Sequence, residues 1–262
     1  KTRALRGMHW VDALRALPAS APGRRAYAAF LEQRYADRLI DLNSLYGLTF
    51  TSLDQVRDAE LNAIAVGRHV VQEDDEAFLA LIAQRFYEVV GKAQREADAN
   101  HLIFGDRYLA GDAPESVLKA AAPWIDAVAV QPGDRYSPLY PASTHFPEAE
   151  IESLHRITGK PVLICDHAIS FPTDEQPLTI FEQMPNEITA AKATTDFLAA
   201  TFAKPYIIGY LRCQYIDRPA GFGRGLRQGI LKADGTPREA FGEVYRERFA
   251  AALKSLQIII AP

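Results

Sequence analysis

The sequence has little cysteine, no long apolar run and no block of basic residues. Its two cysteines, Cys165 and Cys213, are too few for a disulfide framework and are not spaced as metal ligands, so we expect both to be small core residues. No apolar segment approaches the roughly 20 residues that a membrane helix needs. Arginines and acidic residues are interspersed in a chain of net charge −4, which argues against a nucleic-acid partner.

The composition is that of a folded globular protein. Hydrophobic residues make up 48% of the 262 positions, which supports a packed core and excludes a disordered chain. This length accommodates one large α/β domain or two small domains. The first residue is Lys1 rather than methionine, and no signal-peptide pattern follows it, so we expect the chain to have been processed or cut from a longer one.

The first hundred residues are predicted to be mainly helical, because apolar residues recur there with helical spacing. Asp74, Asp75 and Glu76 are expected at the start of the longest helix, where the helix dipole favours acidic side chains. Further helices are predicted at residues 10–17, after the cap-and-turn signal at 20–23, at 39–46, and after the cap at 51–54.

After residue 100 the spacing of apolar residues changes, and predicted strands and helices alternate four times. Short β-branched and aliphatic runs predict the strands, and each is followed by a helical pattern. This alternation is typical of a parallel sheet with right-handed crossovers. The predicted strands cover residues 101–105, 125–130, 160–165 and 206–213, and the helices cover 114–122, 147–158, 187–203 and 237–256.

Four such units are half of a TIM barrel, which needs about 250 residues. We predict an α/β fold in which residues 101–262 form the C-terminal half of a TIM-barrel-type parallel sheet. Residues 1–100 are predicted to be a helical segment that packs on it within one structural domain, since the strand candidates at 48–51 and 68–71 are weak. An open sheet with two bare edges is unfavourable. We therefore expect an N-terminal half or a second chain to complete the barrel.

One predicted strand ends in an acidic residue, Asp166. Side chains alternate along a strand, so Val162, Ile164 and Asp166 are expected on one face and Leu163 and Cys165 on the other. A carboxylate at the C-terminal end of a parallel strand lies where such folds place their chemistry. The alternative is that Asp166 caps the next segment or pairs with an arginine.

Polar side chains follow every predicted strand at this end. An acidic residue follows each predicted strand, and after three of the four strands an arginine lies within one residue of that acid. Such a rim suits a polyhydroxylated ligand with some negative charge, whereas solvated Arg–Asp pairs at a domain rim are the alternative. The candidate ligand-binding residues are Arg107, Tyr108, Gln131, Arg135, His167, Arg212, Gln214 and Asp217.

Five segments occur in an order and spacing that carry a family resemblance. They cover residues 22–52, 100–108, 124–131, 160–166 and 208–226. In this order they resemble the segment after the fourth strand, and then strands five to eight, of the clan of (β/α)₈ retaining glycoside hydrolases, especially its β-agarase-like and family-42 β-galactosidase-like members. The resemblance implies cleavage of glycosidic bonds in a poly- or oligosaccharide, with Asp166 at the nucleophile position.

The chain departs from this family at several functional positions. The family's nucleophile is a glutamate, and Asp166 is one methylene shorter, a difference that can move the carboxylate by about 1 Å or more. Arg212 stands where the family stacks a sugar on tryptophan, and Gln131 and Pro132 replace asparagine and an aromatic residue. The family's acid/base glutamate ends the fourth strand, and residues 1–8 contain no carboxylate.

Glycoside hydrolysis needs a second carboxylate opposite the first. Residues missing from this chain or a partner chain are expected to supply it. Asp106, Asp134 and Asp217 are less favoured alternatives within the chain.

The resemblance also implies roles for the other candidate residues. His167, Gln214 and Arg107 are expected to orient the carboxylate at the nucleophile position and to bind hydroxyl groups. Arg212 and Arg135 are expected to recognise a carboxylate or sulfate of an acidic glycan, because guanidinium groups bind such anions with two parallel hydrogen bonds.

Two other functions compete with catalysis. A degenerate or partial hydrolase barrel would bind carbohydrate without cleaving it, and the changed nucleophile, the lost tryptophan and the missing acid/base residue together favour this alternative. Nucleotide or phosphate binding by the glycines at 221–225 is disfavoured, because their spacing does not match a phosphate loop. The histidines lack metal-ligand spacing, so no metal or other cofactor is expected.

Overall fold

A computed structural model describes residues 10–61, 69–132, 145–174, 177, 184–217 and 229–260. The helices are α1 Trp10–Arg15, α2 Pro22–Arg34, α3 Leu39–Tyr46, α4 His69–Ala97, α5 Glu115–Ala121, α6 Glu148–Thr158, α7 Glu187–Phe202 and α8 Glu239–Ile260. The strands are β1 Arg107–Leu109, β2 Val128–Gln131, β3 Val162–His167 and β4 Ile207–Arg212, and short 3₁₀ helices cover Leu53–Arg57 and Ala122–Trp124.

The chain divides into two compact units. One comprises Lys1–Ala93 with Pro114–Ala121, and the other comprises Gln94–Ala113 with Ala122–Pro262. The first unit is helical in its described part, and the second holds the sheet. The predicted packing of residues 1–100 on the barrel as one domain remains a prediction.

Local signals place the helix ends in the first unit. Gly47 adopts a left-handed conformation, with φ of 67°, and ends α3 as predicted, because glycine takes positive φ without steric cost. Ser52 and Gln55 form a reciprocal capping box at the 3₁₀ helix Leu53–Arg57. Helix α2 begins at Pro22 without a side-chain cap. Proline fits the first turn because it lacks a backbone N–H, and an N–H at this position would have no partner within the helix.

The core of the helical unit combines aliphatic and aromatic side chains. Tyr27, Leu31 and Leu42 are fully buried in it. The Tyr27 ring meets the ring of Phe78 edge-on, with 5.0 Å between their centroids. Such T-shaped pairs are favourable beyond the apolar area that they bury. The apolar positions that predicted helices here therefore do form the core.

The predicted position of the acidic residues at a helix start is wrong. Helix α4 already begins at His69, and Asp74 and Asp75 are both buried inside the unit. Asp74 accepts hydrogen bonds from the hydroxyls of Tyr35, at 2.9 Å, and Tyr46. The side chains of these aspartates are stabilised by tertiary partners, since a charge buried without partners would be too costly.

Each buried aspartate also has an arginine partner. Arg34 pairs with Asp74, and Arg15 pairs with Asp75, which in addition accepts a hydrogen bond from the Tyr27 hydroxyl at 3.0 Å. Burial raises the pKa of the Asp75 carboxyl, and the contacts with Arg15 and Tyr27 oppose that shift. These ion pairs tie α1 and α2 to α4.

The second unit contains a four-stranded parallel sheet with the strand order β1-β2-β3-β4. This confirms the predicted α/β fold with a parallel sheet. Two rows of aligned residues cross all four strands. One row is Arg107, Ala129, Leu163 and Gly209, and the other is Tyr108, Val130, Ile164 and Tyr210. Residues aligned in this way project from the same face of the sheet.

The first strand lies later in the chain than predicted. Residues 101–105 are not a strand, and β1 begins at Arg107. The carboxylate of Asp126 accepts a hydrogen bond from the Ile103 amide at 2.7 Å, and Gly105 has φ of 67°. A carboxylate partner and a left-handed residue interrupt the ladder before β1. The strand candidate at 48–51 is not a strand, and residues 69–71 are helical.

Within the described ranges, no helix is long and apolar enough to span a bilayer.

Replacing Asp75 with asparagine tests the buried ion pair. The amide has nearly the same shape but removes the buried counter-charge of the Arg15 guanidinium, which keeps its more exposed pair with Asp12. Because a buried hydrogen bond between charged groups is weakened, we expect a loss of about 1.5–3 kcal/mol in the free energy of unfolding, measured by urea denaturation and circular dichroism. The control is Glu88→Gln, which removes an exposed pair with Lys92 and should change stability little. Equal effects of the two substitutions would contradict this account of the core.

Candidate active site

Strand β3 contains one extra residue near its C-terminal end. Ile164 is aligned with Tyr210, and His167 is aligned with Arg212, so three steps along β3 match two steps along β4. This mismatch is a β-bulge. Asp166 lies inside it with φ of 53°, a left-handed conformation that aspartate tolerates better than most residues. We use the name Asp166 bulge for Cys165 and Asp166.

The bulge changes the face to which Asp166 belongs. Strict alternation predicts Asp166 on the face of Val162 and Ile164, and both of these side chains are fully buried. The carboxylate instead pairs with Arg107, from Nη1 to Oδ2 at 2.8 Å, and Asp166 is 19% exposed. The predicted orientation is therefore wrong, because the extra residue resets the alternation after Ile164.

His167 occupies the helix-facing position that follows the bulge. Its ring stacks on Phe197 of α7 with 3.9 Å between centroids. Its Nδ1 lies 2.9 Å from the Tyr210 hydroxyl, and that hydroxyl also donates to the backbone oxygen of His167 at 3.1 Å. His167 is buried. The structure thus places it between β3, β4 and α7, where it fixes the backbone beside Asp166.

Arg212 packs against the last helix. Its Nη1 donates to the Tyr245 hydroxyl at 2.9 Å, and its guanidinium carbon lies 4.5 Å from the centroid of the Phe241 ring. Both aromatic residues belong to α8. Cation–π contacts of this kind stabilise packing. These contacts favour a structural role for Arg212, and its predicted role in anion recognition remains a prediction.

Tyr108 and Gln131 lie in different rows of the sheet. Tyr108 is buried and aligned with Val130 and Ile164. Gln131 is aligned with Leu109 and is also buried. Because Leu109 follows Tyr108 by one residue, the side chains of Tyr108 and Gln131 project from opposite faces.

Asp217 lies beyond β4 in a buried ion pair. Arg238 donates to its Oδ2 at 2.6 Å, and the backbone amide of Gly229 donates to its Oδ1. Arg238 also binds Glu187 at 3.1 Å. The carboxylate of Asp217 therefore links the end of β4 to the segment before α8. Its predicted contact with a ligand remains a prediction.

The remaining candidates are described in part. Gln214 follows a cis peptide bond from Cys213 and is half-buried, and the amide of Cys213 donates to the backbone oxygen of His167 at 3.2 Å. Arg135 and Asp134 lie outside the described residues, as do the glycines at 221–225. Asp106 is exposed beside β1.

Cys165 is an inert neighbour of the carboxylate. Its thiol donates to the backbone oxygen of Val130 at 3.4 Å, and burial raises its pKa to about 11. A thiol with this pKa stays protonated at neutral pH and is a poor nucleophile. In the part of the chain that the structure describes, no group of three or more histidine, cysteine or acidic side chains could hold a metal ion.

The site therefore consists of a carboxylate at the C-terminal end of a parallel strand, held by a guanidinium from a strand two positions away. The structure brings Asp166 and Arg107 together as a pair and places His167 and Arg212 against helices. Sequence reasoning missed the bulge. Its only signal was an aspartate, one of the few residues enriched at positive φ.

Comparisons with known proteins relate the chain to agar-degrading enzymes. No family model matches the sequence. The chain is 25% identical over 237 residues to β-agarase A of Vibrio sp. (strain JT0107), an alignment that covers 87% of this chain and 23% of that protein. This likeness supports a relationship to glycoside hydrolases in general.

Several solved structures share the fold. A structure of PfGH50B aligns with a TM-score of 0.76 and 20% identity over 94% of this chain and 34% of the other. An exo-β-agarase aligns with a TM-score of 0.74 and 20% identity over 92% of this chain and 32% of the other. The agarase AgWH50C aligns with a TM-score of 0.72 and 18% identity over 93% of this chain and 34% of the other. The fold is therefore of the TIM-barrel type, and the chain spans about a third or less of these proteins.

Replacing Arg212 with alanine tests its packing against α8. Loss of the cation–π contact and the Tyr245 hydrogen bond should lower the free energy of unfolding by about 1–2 kcal/mol, measured by urea denaturation. The matched control is Arg85→Ala, since Arg85 is 73% exposed and pairs with Glu88 on the surface of the same helix. If Arg212→Ala unfolds with the same free energy as the wild type, Arg212 has no structural role against α8.

Proposed function

We propose that this chain is part of a glycoside hydrolase that cleaves a poly- or oligosaccharide, with Asp166 as the nucleophile or base. The observation that carries the proposal is the partly exposed carboxylate at the C-terminal end of β3, paired with Arg107 at 2.8 Å. Barrel enzymes place their catalytic residues at this end of the strands. The agarase relative and the shared fold support the same chemistry.

The ion pair suits a carboxylate that must be charged to react. A neighbouring guanidinium favours the ionised form of an acid, and an ionised acid is required for attack on an anomeric carbon or for activation of water. The side chain of Asp166 is turned away from the buried positions Val162 and Ile164. A ligand can therefore approach it without unpacking the helices.

A second carboxylate completes the proposed mechanism. It would lie about 5–5.5 Å from Asp166 in a retaining enzyme and about 6.5–9.5 Å away in an inverting one. Asp217 is buried, and both of its carboxylate oxygens accept hydrogen bonds within the chain, from Arg238 and from the Gly229 amide, which makes it a poor candidate. We therefore propose that polypeptide outside this chain supplies the acid, either as an N-terminal barrel half or as a second chain. That polypeptide would also cover the edges of β1 and β4, which lack a strand partner in the described sheet.

Agarose is the first substrate to test, because the relatives are named agarases. An acidic glycan is the second. That idea rests on Arg135 and Arg212, and Arg212 packs on α8, so the support for an acidic substrate is the weaker of the two. The retaining stereochemistry and the likeness to family-42 β-galactosidases are further proposals that the anomeric form of the product would test.

Replacing Asp166 with asparagine tests the proposed nucleophile. In the complete protein, with the polypeptide that supplies the second acid, removal of the charged oxygen should lower the release of reducing ends from agarose, or from a panel of neutral and acidic oligosaccharides, by about 1,000-fold or more. The matched control is Asp196→Asn, because Asp196 is an exposed helix residue that pairs with Lys192. Equal residual activity in the two variants would take Asp166 out of the mechanism.

A carbohydrate-binding protein without activity is the second candidate function. It is favoured by the engagement of Asp217 with Arg238, which makes one of the three alternative acids within the chain a poor catalytic group. Calorimetric titration with agarose oligosaccharides distinguishes the two functions. Binding by the complete protein, with the polypeptide that supplies the acid, but without any release of reducing ends would establish the second function, and turnover by the complete protein would exclude it.

A further inference from the structure

We infer that the Asp166 bulge and Arg107 together form the device that positions the carboxylate. Its catalytic consequence rests on the function proposed above, whereas its structural part does not. The device has two elements. The extra residue in β3 sets the face on which Asp166 lies, and Arg107 then fixes the plane of its carboxylate.

The first element follows from the alignment of β3 with β4. Without an extra residue, Asp166 would follow Ile164 on the buried face, and His167 would project from the other face. The bulge allows His167 to fill the helix-facing position, where its ring stacks 3.9 Å from Phe197. A carboxylate placed against this aromatic surface would be desolvated without a partner, which is costly. The bulge therefore gives Asp166 a polar environment and His167 an aromatic one.

The second element spans two strands. Arg107 is aligned with Ala129 on β2, and Ala129 is aligned with Leu163 on β3. The guanidinium of Arg107 nevertheless reaches Oδ2 of Asp166 at 2.8 Å. A contact made across an intervening strand depends on the orientation of the carboxylate. Arg107 is thus a positioning residue, acting on substrate through Asp166.

This arrangement explains how aspartate can serve at a position where the resembled family has glutamate. Aspartate has one side-chain torsion fewer, so it cannot compensate for backbone placement by bending. Here the backbone itself departs from the regular strand, with φ of 53° at Asp166. Bulges commonly redirect a side chain beside an active site. The bulge therefore sets the position of the carboxylate that the shorter side chain cannot adjust by itself.

A stability series tests the first element without any substrate. The series compares the stability of the variants Asp166→Asn and Asp166→Val, both of which lose the ion pair with Arg107. Left-handed backbone disfavours β-branched residues and tolerates asparagine. We expect an unfolding equilibrium constant about tenfold larger for Asp166→Val than for Asp166→Asn, measured by urea denaturation.

The matched control is the same pair of substitutions at Leu109. This residue lies in the regular ladder of β1 opposite Gln131, where valine suits a strand better than asparagine does. The order of stability should therefore reverse at this position. Equal stability of the two variants at position 166, or the same order at both positions, would overturn the structural part of the inference.

A kinetic comparison of variants of the complete protein, with agarose as the substrate, tests the second element. Arg107→Gln should lower kcat by about 10- to 100-fold while KM changes less than about threefold, because misplacement of about 1 Å costs roughly 100-fold in rate. Arg107→Lys keeps the charge and should restore part of kcat. An increase in KM at unchanged kcat would show that Arg107 contacts substrate directly, and would overturn the positioning role.

The two tests fail separately. If the complete protein, assayed with the polypeptide that supplies the second acid, releases no reducing ends from any glycan in the panel, the proposed function and the catalytic part of this inference both fail. The stability series at positions 166 and 109 still decides whether the bulge requires a residue that tolerates positive φ.

Discussion

The alternation of side chains along β3 is the constraint on which the site depends. A strand sends successive residues to opposite faces, so one extra residue transfers all later side chains to the other face. In this chain the transfer occurs at Asp166, between Ile164 and His167. It places an imidazole against α7 and a carboxylate beside Arg107. The positions of Asp166 and His167 follow from this change of register.

The neighbouring side chains keep the carboxylate in place from the opposite face. The Tyr210 hydroxyl binds both the ring and the backbone oxygen of His167, and Arg212 connects the end of β4 to α8. His167 and Arg212, both expected to contact a ligand, thus pack against neighbouring side chains next to the site. Barrel enzymes commonly divide their strands in this way between a reactive end and a stabilising shell.

The helical unit shows the same dependence on contacts between distant residues. Asp74 and Asp75 follow one another on α4, and each binds an arginine and at least one tyrosine from other helices. Burial and the hydrogen bond to Asp74 raise the pKa of Tyr35 to about 12, so its hydroxyl remains a proton donor at neutral pH. A cluster of this kind specifies how the helices are arranged, because a misplaced helix would leave a buried charge without a partner.

The sequence by itself determined the alternation of strands and helices after residue 100, the parallel α/β fold and the place of Asp166 at a strand end. These features follow from local periodicity and from glycine and proline signals, which neighbouring residues establish. Only the tertiary structure decided that β1 begins at Arg107, that Asp74 and Asp75 are buried, and that Arg212 packs on α8. A bulge, a buried ion pair and a cation–π contact each join residues far apart in the chain, so no local pattern specifies them.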